Sequence, residues 1–318
     1  MYRYVDSHSD TLFAICFEDK GSFDKPKGLQ INLNSIIKAN PALQVFSLFS
    51  EDWNDQILVD KAPWKMAEEF HGILAKYKNI KLIENTNEIF LECYNGKIPV
   101  ILSVEGSGFI ESENILYLLR KIGVRMLSLT WSKENRHGYG NSCDPKKGLK
   151  QSGKNLVAKC KKLGIIMDVS HINYKGFFDI AEIYDGKPFI ASHSNIYRLC
   201  PTERNLRDEQ VKIIKQVKGV VGITLYTDIL VNNRKATIDD IYSHIDYICE
   251  RYGEDYVGIG TDFDGITELP YGIVDCSDLY KVFDYLKEKG YNDNVITKIA
   301  SGNFLRVFNK IWQGDMHA

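Results

Sequence analysis

The chain has 318 residues, a hydrophobic share of 44% and a formal net charge of −2 from 40 basic and 42 acidic side chains. That is material for a sizeable core. So even a balance excludes the electrostatic footprint of a nucleic-acid binder or of a protein drawn to anionic membrane. No run approaches the roughly 18 apolar residues of a membrane span.

In chain order, strands are expected near 3–8, 43–49, 98–104, 124–130, 164–170, 188–193, 219–225 and 256–261, most of them apolar runs with β-branched residues. Amphipathic stretches separate them, among them 62–77, 111–121, 153–163 and 208–218. Strand and helix in alternation predict a parallel sheet, and eight such units favour a closed (β/α)8 TIM barrel. Gly123 and Gly164 fall where helix ends want a left-handed residue. Thr237, followed by Asp239 and Asp240, reads as a capped helix start. The tail carries two further helices, 294–300 and 303–312. No linker or low-complexity tract divides the chain, so one domain over 1–318 is expected.

The amino terminus enters a strand without a basic segment and apolar stretch before it, so no secretory signal is expected. Seven cysteines (16, 93, 143, 160, 200, 249 and 276) are scattered, with no Cys-x-x-Cys pair. Free thiols in a reducing cytoplasm are the expected state.

The chemistry sits where apolar runs stop. His8 and Asp10 are two apart on an extended segment, a spacing that puts both on one face. An imidazole beside a carboxylate can grip one divalent ion, although a polar surface turn is the plainer account of His-x-Asp alone. Glu105 follows Val100-Ile101-Leu102-Ser103-Val104. An acid there either pairs with a cation or emerges at the strand's end, since burial without a partner is costly. Its two oxygens could bridge two metals. His171 and His193 close two further runs, on strands expected to be neighbours. With His8, Asp10 and Glu105 they make five ligands of the kind zinc accepts. His71, His137, His244 and His317 fall on helices, a loop or the tail and are read as non-ligands.

Asp262 and Asp264 lie in Gly-Ile-Gly-Thr-Asp-Phe-Asp-Gly. The further acids of a helix-loop-helix calcium site are missing. Asp262, first after the strand, is a candidate proton shuttle, and Asp264 with Gly265 shapes the turn. Arg204, in a loop, could fork onto a substrate carboxylate. Tyr226 ends the run 220–225 and could share that rim, or simply pack.

Taken in order, these segments resemble the membrane dipeptidase (renal dipeptidase) family, itself similar to the wider amidohydrolase-type barrels. The resemblance runs from Val5 to Phe308. It includes Asp-Val-Ser-His at 168–171, Arg204-Asn205-Leu206, the glycine-rich segment 258–265 and Gly-Asn-Phe-Leu-Arg-Val-Phe at 302–308. It implies a zinc-dependent dipeptidase with two divalent ions, His8 and Asp10 on one, His171 and His193 on the other, and Glu105 between them. It implies Asp262 as acid/base residue, and Arg204 and Tyr226 as substrate contacts, Arg204 through the free carboxylate. The partner would be a dipeptide or similar small molecule, with neither nucleic acid nor membrane; a homodimer stays open. One position departs. The family's best-known members carry a histidine, thought to steady the oxyanion, where this chain has Trp131 in Leu129-Thr130-Trp131. His137, six residues on, is the nearby alternative. Two rival functions remain: a related barrel hydrolase acting on a lactone, cyclic amide or phosphoester, and a non-catalytic metal-binding scaffold.

Overall fold

Every residue of the eight expected apolar runs that joins the ladder is buried, except Phe49, which is partly exposed. That is what a parallel strand covered on both faces requires. In a computed structural model describing residues 2–50 and 56–312, these strands are β1 (Val5–Asp6), β2 (Leu43–Phe49), β3 (Ile98–Glu105), β4 (Val124–Ser128), β5 (Ile166–Asp168), β6 (Ile190–Ala191), β7 (Val220–Ile223) and β8 (Val257–Ile259). Each pairs in parallel with its sequence neighbour, and β8 returns to β1 through Asp6 and Ile259, so the sheet closes. The longest ladder joins β2 to β3, from Gln44–Val100 to Phe49–Glu105. The architecture is the expected (β/α)8 barrel.

The differences are local. A short strand, Ile80–Leu82, pairs in parallel with the start of β3, Ile98–Val100, and was not anticipated. Six barrel strands (β1, β4, β5, β6, β7 and β8) end short of the expected bounds because the chain turns at the site. Residues 111–114 are not helical; the helix starts at Ile115. Ser, Glu and Asn there compete for the backbone's hydrogen bonds. The tail helices are one run, Asp293–Thr297 and Asn303–Trp312, joined by a π turn at Lys298–Gly302.

Glycine and cap expectations hold. Gly164 ends helix Gln151–Leu163 at φ 62°, and Thr237 forms a capping box with Asp240. All seven cysteines are free; Cys160, Cys200 and Cys276 are buried.

The last helix explains the 302–308 segment. Phe304, Val307, Phe308 and Trp312 form one apolar cluster with Val5, Leu43, Val45, Ile101, Met126, Ile166, Ile190 and Val220. Those are residues in the first half of their strands, so the helix seals the amino-terminal end of the barrel. Asn303 Nδ2 donates to the carbonyls of Glu254 and Val257, and Arg306 to those of Lys218 and Asp255, tying the starts of β7 and β8 to this plug. Among the described residues, no helix is long and apolar enough to cross a membrane.

Candidate active site

The other end of the barrel is polar. His8 and Asp10 lie just beyond β1, and Asp10 precedes helix Thr11–Phe17. Glu105 is the last residue of β3. His171 and His193 follow β5 and β6, and Asp262 follows β8. His171 and Asp262 both adopt φ 66°, a left-handed conformation that is unfavourable for a side chain with a Cβ. The surrounding bonds hold them there: Asp262 N–H donates to the His8 carbonyl (3.2 Å), and Asn141 N–H to the His171 carbonyl (2.7 Å).

Two buried carboxylates brace these strand ends. Asp6 accepts from the Thr261 amide and hydroxyl at 2.8 Å each and from Gln44 Nε2 at 2.9 Å, joining β1, β2 and the end of β8. Asp168 accepts from the amides of Ser170 (2.9 Å) and Ser192 (2.8 Å), joining the ends of β5 and β6. Asp264 does the same for a loop, accepting from Thr11 Oγ1 and the Gln30 amide at 2.6 Å each; it shapes the turn as expected.

The barrel brings the five candidate ligands together. Glu105 Oε2 lies 3.3 Å from His8 Nε2, which is 3.4 Å from Asp10 Oδ2. Glu105 Oε1 lies 3.0 Å from His171 Nε2 and 3.3 Å from His193 Nε2. The two oxygens of one carboxylate therefore face two different ligand sets. Asp262 Oδ1 is 3.8 Å from His8 Nε2. His8, Asp10 and Glu105 form one group able to hold an ion, Glu105, His171 and His193 a second, and His8, His193 and Asp262 an overlapping third.

The donor set fits divalent ions. His8 Nε2 and Asp10 Oδ1 are buried without a hydrogen-bond partner, a costly state unless a cation completes it. The Nε2 atoms of His171 and His193 face each other at 2.9 Å. Burial, with positive charge nearby, holds both rings well below the usual histidine range, so both are neutral donors of the kind metals need. Burial pushes Glu105 up to about 7 and Asp262 up to about 6, against the pull of His8. Burial works to lower His8 too, but Glu105 and Asp10 outweigh it and raise it.

Above the ligands lies a cleft of about 580 Å³. Asp10, Glu105, His171 and Asp262 form its polar floor. Arg204 and Tyr226, from beyond β6 and β7, stand on one side; Phe13 and Trp131, from beyond β1 and β4, and Phe49, the last residue of β2, stand across from them. Phe49 meets both Phe13 and Trp131 edge-on, at centroid distances of 5.2 and 5.3 Å. Arg204 donates to the His193 carbonyl (2.6 Å) and Ser194 Oγ (3.0 Å), which fixes the guanidinium and leaves three of its five N–H groups. Tyr226 lines the cleft, but its hydroxyl donates to Asp228 Oδ2 (2.9 Å).

The histidines read as non-ligands stay outside. His137 is buried with Nε2 on the Ile110 carbonyl (3.0 Å), so it does not stand in for the absent histidine. His244 is bonded to the Ile196 amide and the Leu230 carbonyl. His71 meets the Ile122 carbonyl on the surface, and His317 lies outside the described residues. Sequence reasoning missed Asp6, Asp168, Ser192 and the aromatic wall. A signal existed for the first two: an aspartate stands two residues before His8 and three before His171, each time with serine just ahead of the histidine.

A closed (β/α)8 barrel whose mouth gathers three histidines and three carboxylates defines the class of metal-dependent hydrolases. More narrowly, the chain belongs to the membrane dipeptidase family, peptidase family M19, whose model matches residues 2–316. Membership implies a divalent metal cofactor. The chain is 35% identical over 233 residues to an uncharacterised protein in the pqqA 5' region of Klebsiella pneumoniae, covering 70% of this chain and 85% of that one. It is 29% identical to an uncharacterised dipeptidase of Schizosaccharomyces pombe, covering 97% and 80%. A Rhodobacter sphaeroides metallopeptidase, solved with a phosphinate mimic of the dipeptide L-Ala-D-Ala, superposes at a TM-score of 0.89 and 24% identity over 98% of this chain and 99% of its own. That likeness shows the shared fold.

Proposed function

We propose that this protein hydrolyses the peptide bond of dipeptides using two divalent ions, zinc foremost. The observation that carries the proposal is Glu105, whose two oxygens face His8 with Asp10 on one side and His171 with His193 on the other. Histidine nitrogen with carboxylate oxygen is a donor set zinc favours. When bound, such ions supply an activated water at neutral pH and polarise the scissile carbonyl.

The chain's own groups do the rest. Asp262 stands within the cluster, and burial gives it a proton affinity higher than an ordinary aspartate's. It takes the proton of the attacking water and delivers it to the leaving nitrogen. Arg204, fixed beside His193, forks onto the substrate's terminal carboxylate. Tyr226 flanks it with its ring. The wall of Phe13, Phe49 and Trp131 closes the opposite side and limits the ligand's length. Trp131 lines the cleft with its indole ring, which offers no base. A cytoplasmic setting accords with seven free thiols.

The test is a panel of dipeptides, including members with a D-residue in second position, offered to chelator-stripped protein before and after zinc is restored. Turnover that appears with zinc and vanishes with chelator is expected. Hydrolysis of a lactone or phosphoester, with every dipeptide untouched, would overturn the proposal.

A further inference from the structure

We propose that Ser192, itself held by Asp168, sets the tautomer of His193 and so presents its Nε2 lone pair to the site. The metal part of this inference rests on the two-ion proposal; the tautomer does not.

The argument is an account of protons. Ser192 Oγ lies 2.5 Å from Asp168 Oδ2 and 2.7 Å from His193 Nδ1. A hydroxyl has one proton to give, and an ionised carboxylate only accepts. Two backbone amides already point at Asp168 Oδ1, as suits an anion. The serine proton therefore goes to Asp168, because otherwise two oxygens would face each other at 2.5 Å with no proton between them. Ser192 Oγ is left as an acceptor toward His193, so Nδ1 must carry the hydrogen. In a neutral imidazole the other nitrogen is then bare. That nitrogen, Nε2, is the one 3.3 Å from Glu105 Oε1.

The relay cannot drift. Asp168 and Ser192 are buried, and Ser7 Oγ donates to the Ser192 carbonyl at 2.6 Å. Gly222 and Gly260 exist to admit that carbonyl: a Cβ at either would lie 2.0 or 1.8 Å from it. Its neighbour is different. His171 Nδ1 is buried with no hydrogen-bond partner, so no side chain behind that ring holds its Nδ1 as Ser192 holds that of His193. Asp6, the matching brace under His8, reaches backbone and side chains of β2 and β8 but not the imidazole itself. Ser192 is thus a positioning residue that readies one ligand of the pair.

Metal-free protein labelled with 15N-histidine reads the tautomer directly from imidazole nitrogen shifts. The wild type should show His193 in the Nδ1–H form. Ser192→Ala should give a tautomer mixture and weaken zinc binding, measured by competition with a chromogenic chelator, by about 10–100-fold. Asp168→Asn puts an amide where the carboxylate was, frees the serine proton for Nδ1, and should shift His193 toward Nε2–H. A wild-type His193 protonated on Nε2 would overturn the proposal even if neither variant folds, as would a folded Ser192→Ala protein with unchanged tautomer and affinity. The expected tautomer in a protein that cleaves no dipeptide would leave this inference standing and sink the dipeptidase proposal; an active dipeptidase with the other tautomer would do the reverse.

Discussion

The two ends of this barrel are built from opposite chemistry. At the amino-terminal end, Phe304, Phe308 and Trp312 stack into a ring of aliphatic strand residues. At the carboxyl-terminal end the same strands run out into His8, Glu105, His171, His193 and Asp262, several of them buried and some with no hydrogen-bond partner. One end gains free energy from burial; the other spends some of it on strained turns and desolvated charge. The contrast teaches that stability and reactivity are separable here, and substitutions at each end should respond differently.

The largest effect belongs to the polar end. Asp262→Asn should lower turnover by about 10²–10⁴-fold while the protein keeps its metal and its melting temperature. The base must be ionised to accept a proton, so activity should fail as pH drops. With the carboxyl raised to about 6 by burial and then pulled down by bound cations, the acidic limb should lie at or below about 6. Unchanged turnover, or a limb above pH 7, would remove Asp262 from the mechanism.

Next comes the plug. Phe308 is fully buried, and Phe308→Ala should cost about 3–5 kcal/mol of stability in a denaturant melt. At a temperature where the variant is still folded, its Michaelis constant should match the wild type. A changed Michaelis constant with intact stability would break the separation of the two ends.

Arg204→Ala should raise the Michaelis constant for dipeptides roughly ten- to a hundredfold, the worth of about 1.5–3 kcal/mol for bonds to a charged group. Dipeptide esters, which lack that charge, should be little affected. Equal effects on both would show that Arg204 does not bind the carboxylate.

The smallest effect is a pH slope. Burial raises Asp264 to about 6 against an ordinary 3.8. A carboxyl raised on folding favours the native state fully below about pH 4, and that contribution fades as pH rises through 6. The stability of metal-free wild type relative to Asp264→Asn should therefore fall between those values. A difference that stays flat would mean the carboxyl is not desolvated as the fold implies.

The eight barrel strands were legible because a strand buried on both faces is written as a continuous apolar run, as in Val100-Ile101-Leu102. Ile80–Leu82 was not, since Ile-Lys-Leu is short and broken by a lysine. The five candidate ligands were legible for a related reason: a charged or imidazole side chain ending such a run has few places to go but the mouth of the barrel. The partnership of Asp168 with Ser192 was hidden because it spans 24 positions and exists only once β5 and β6 pair. Tyr226 lines the cleft, and no local pattern told that its hydroxyl would turn to Asp228. His137 sits close to Trp131 in sequence, yet its loop buries it against Ile110.

The central claim is that Glu105 joins two cation sites. Calorimetric titration of stripped protein with zinc tests it most directly. Two ions per chain are predicted for the wild type, with both sites weakened in Glu105→Gln. A single ion, or two ions bound as tightly after Glu105 is replaced, would contradict the account.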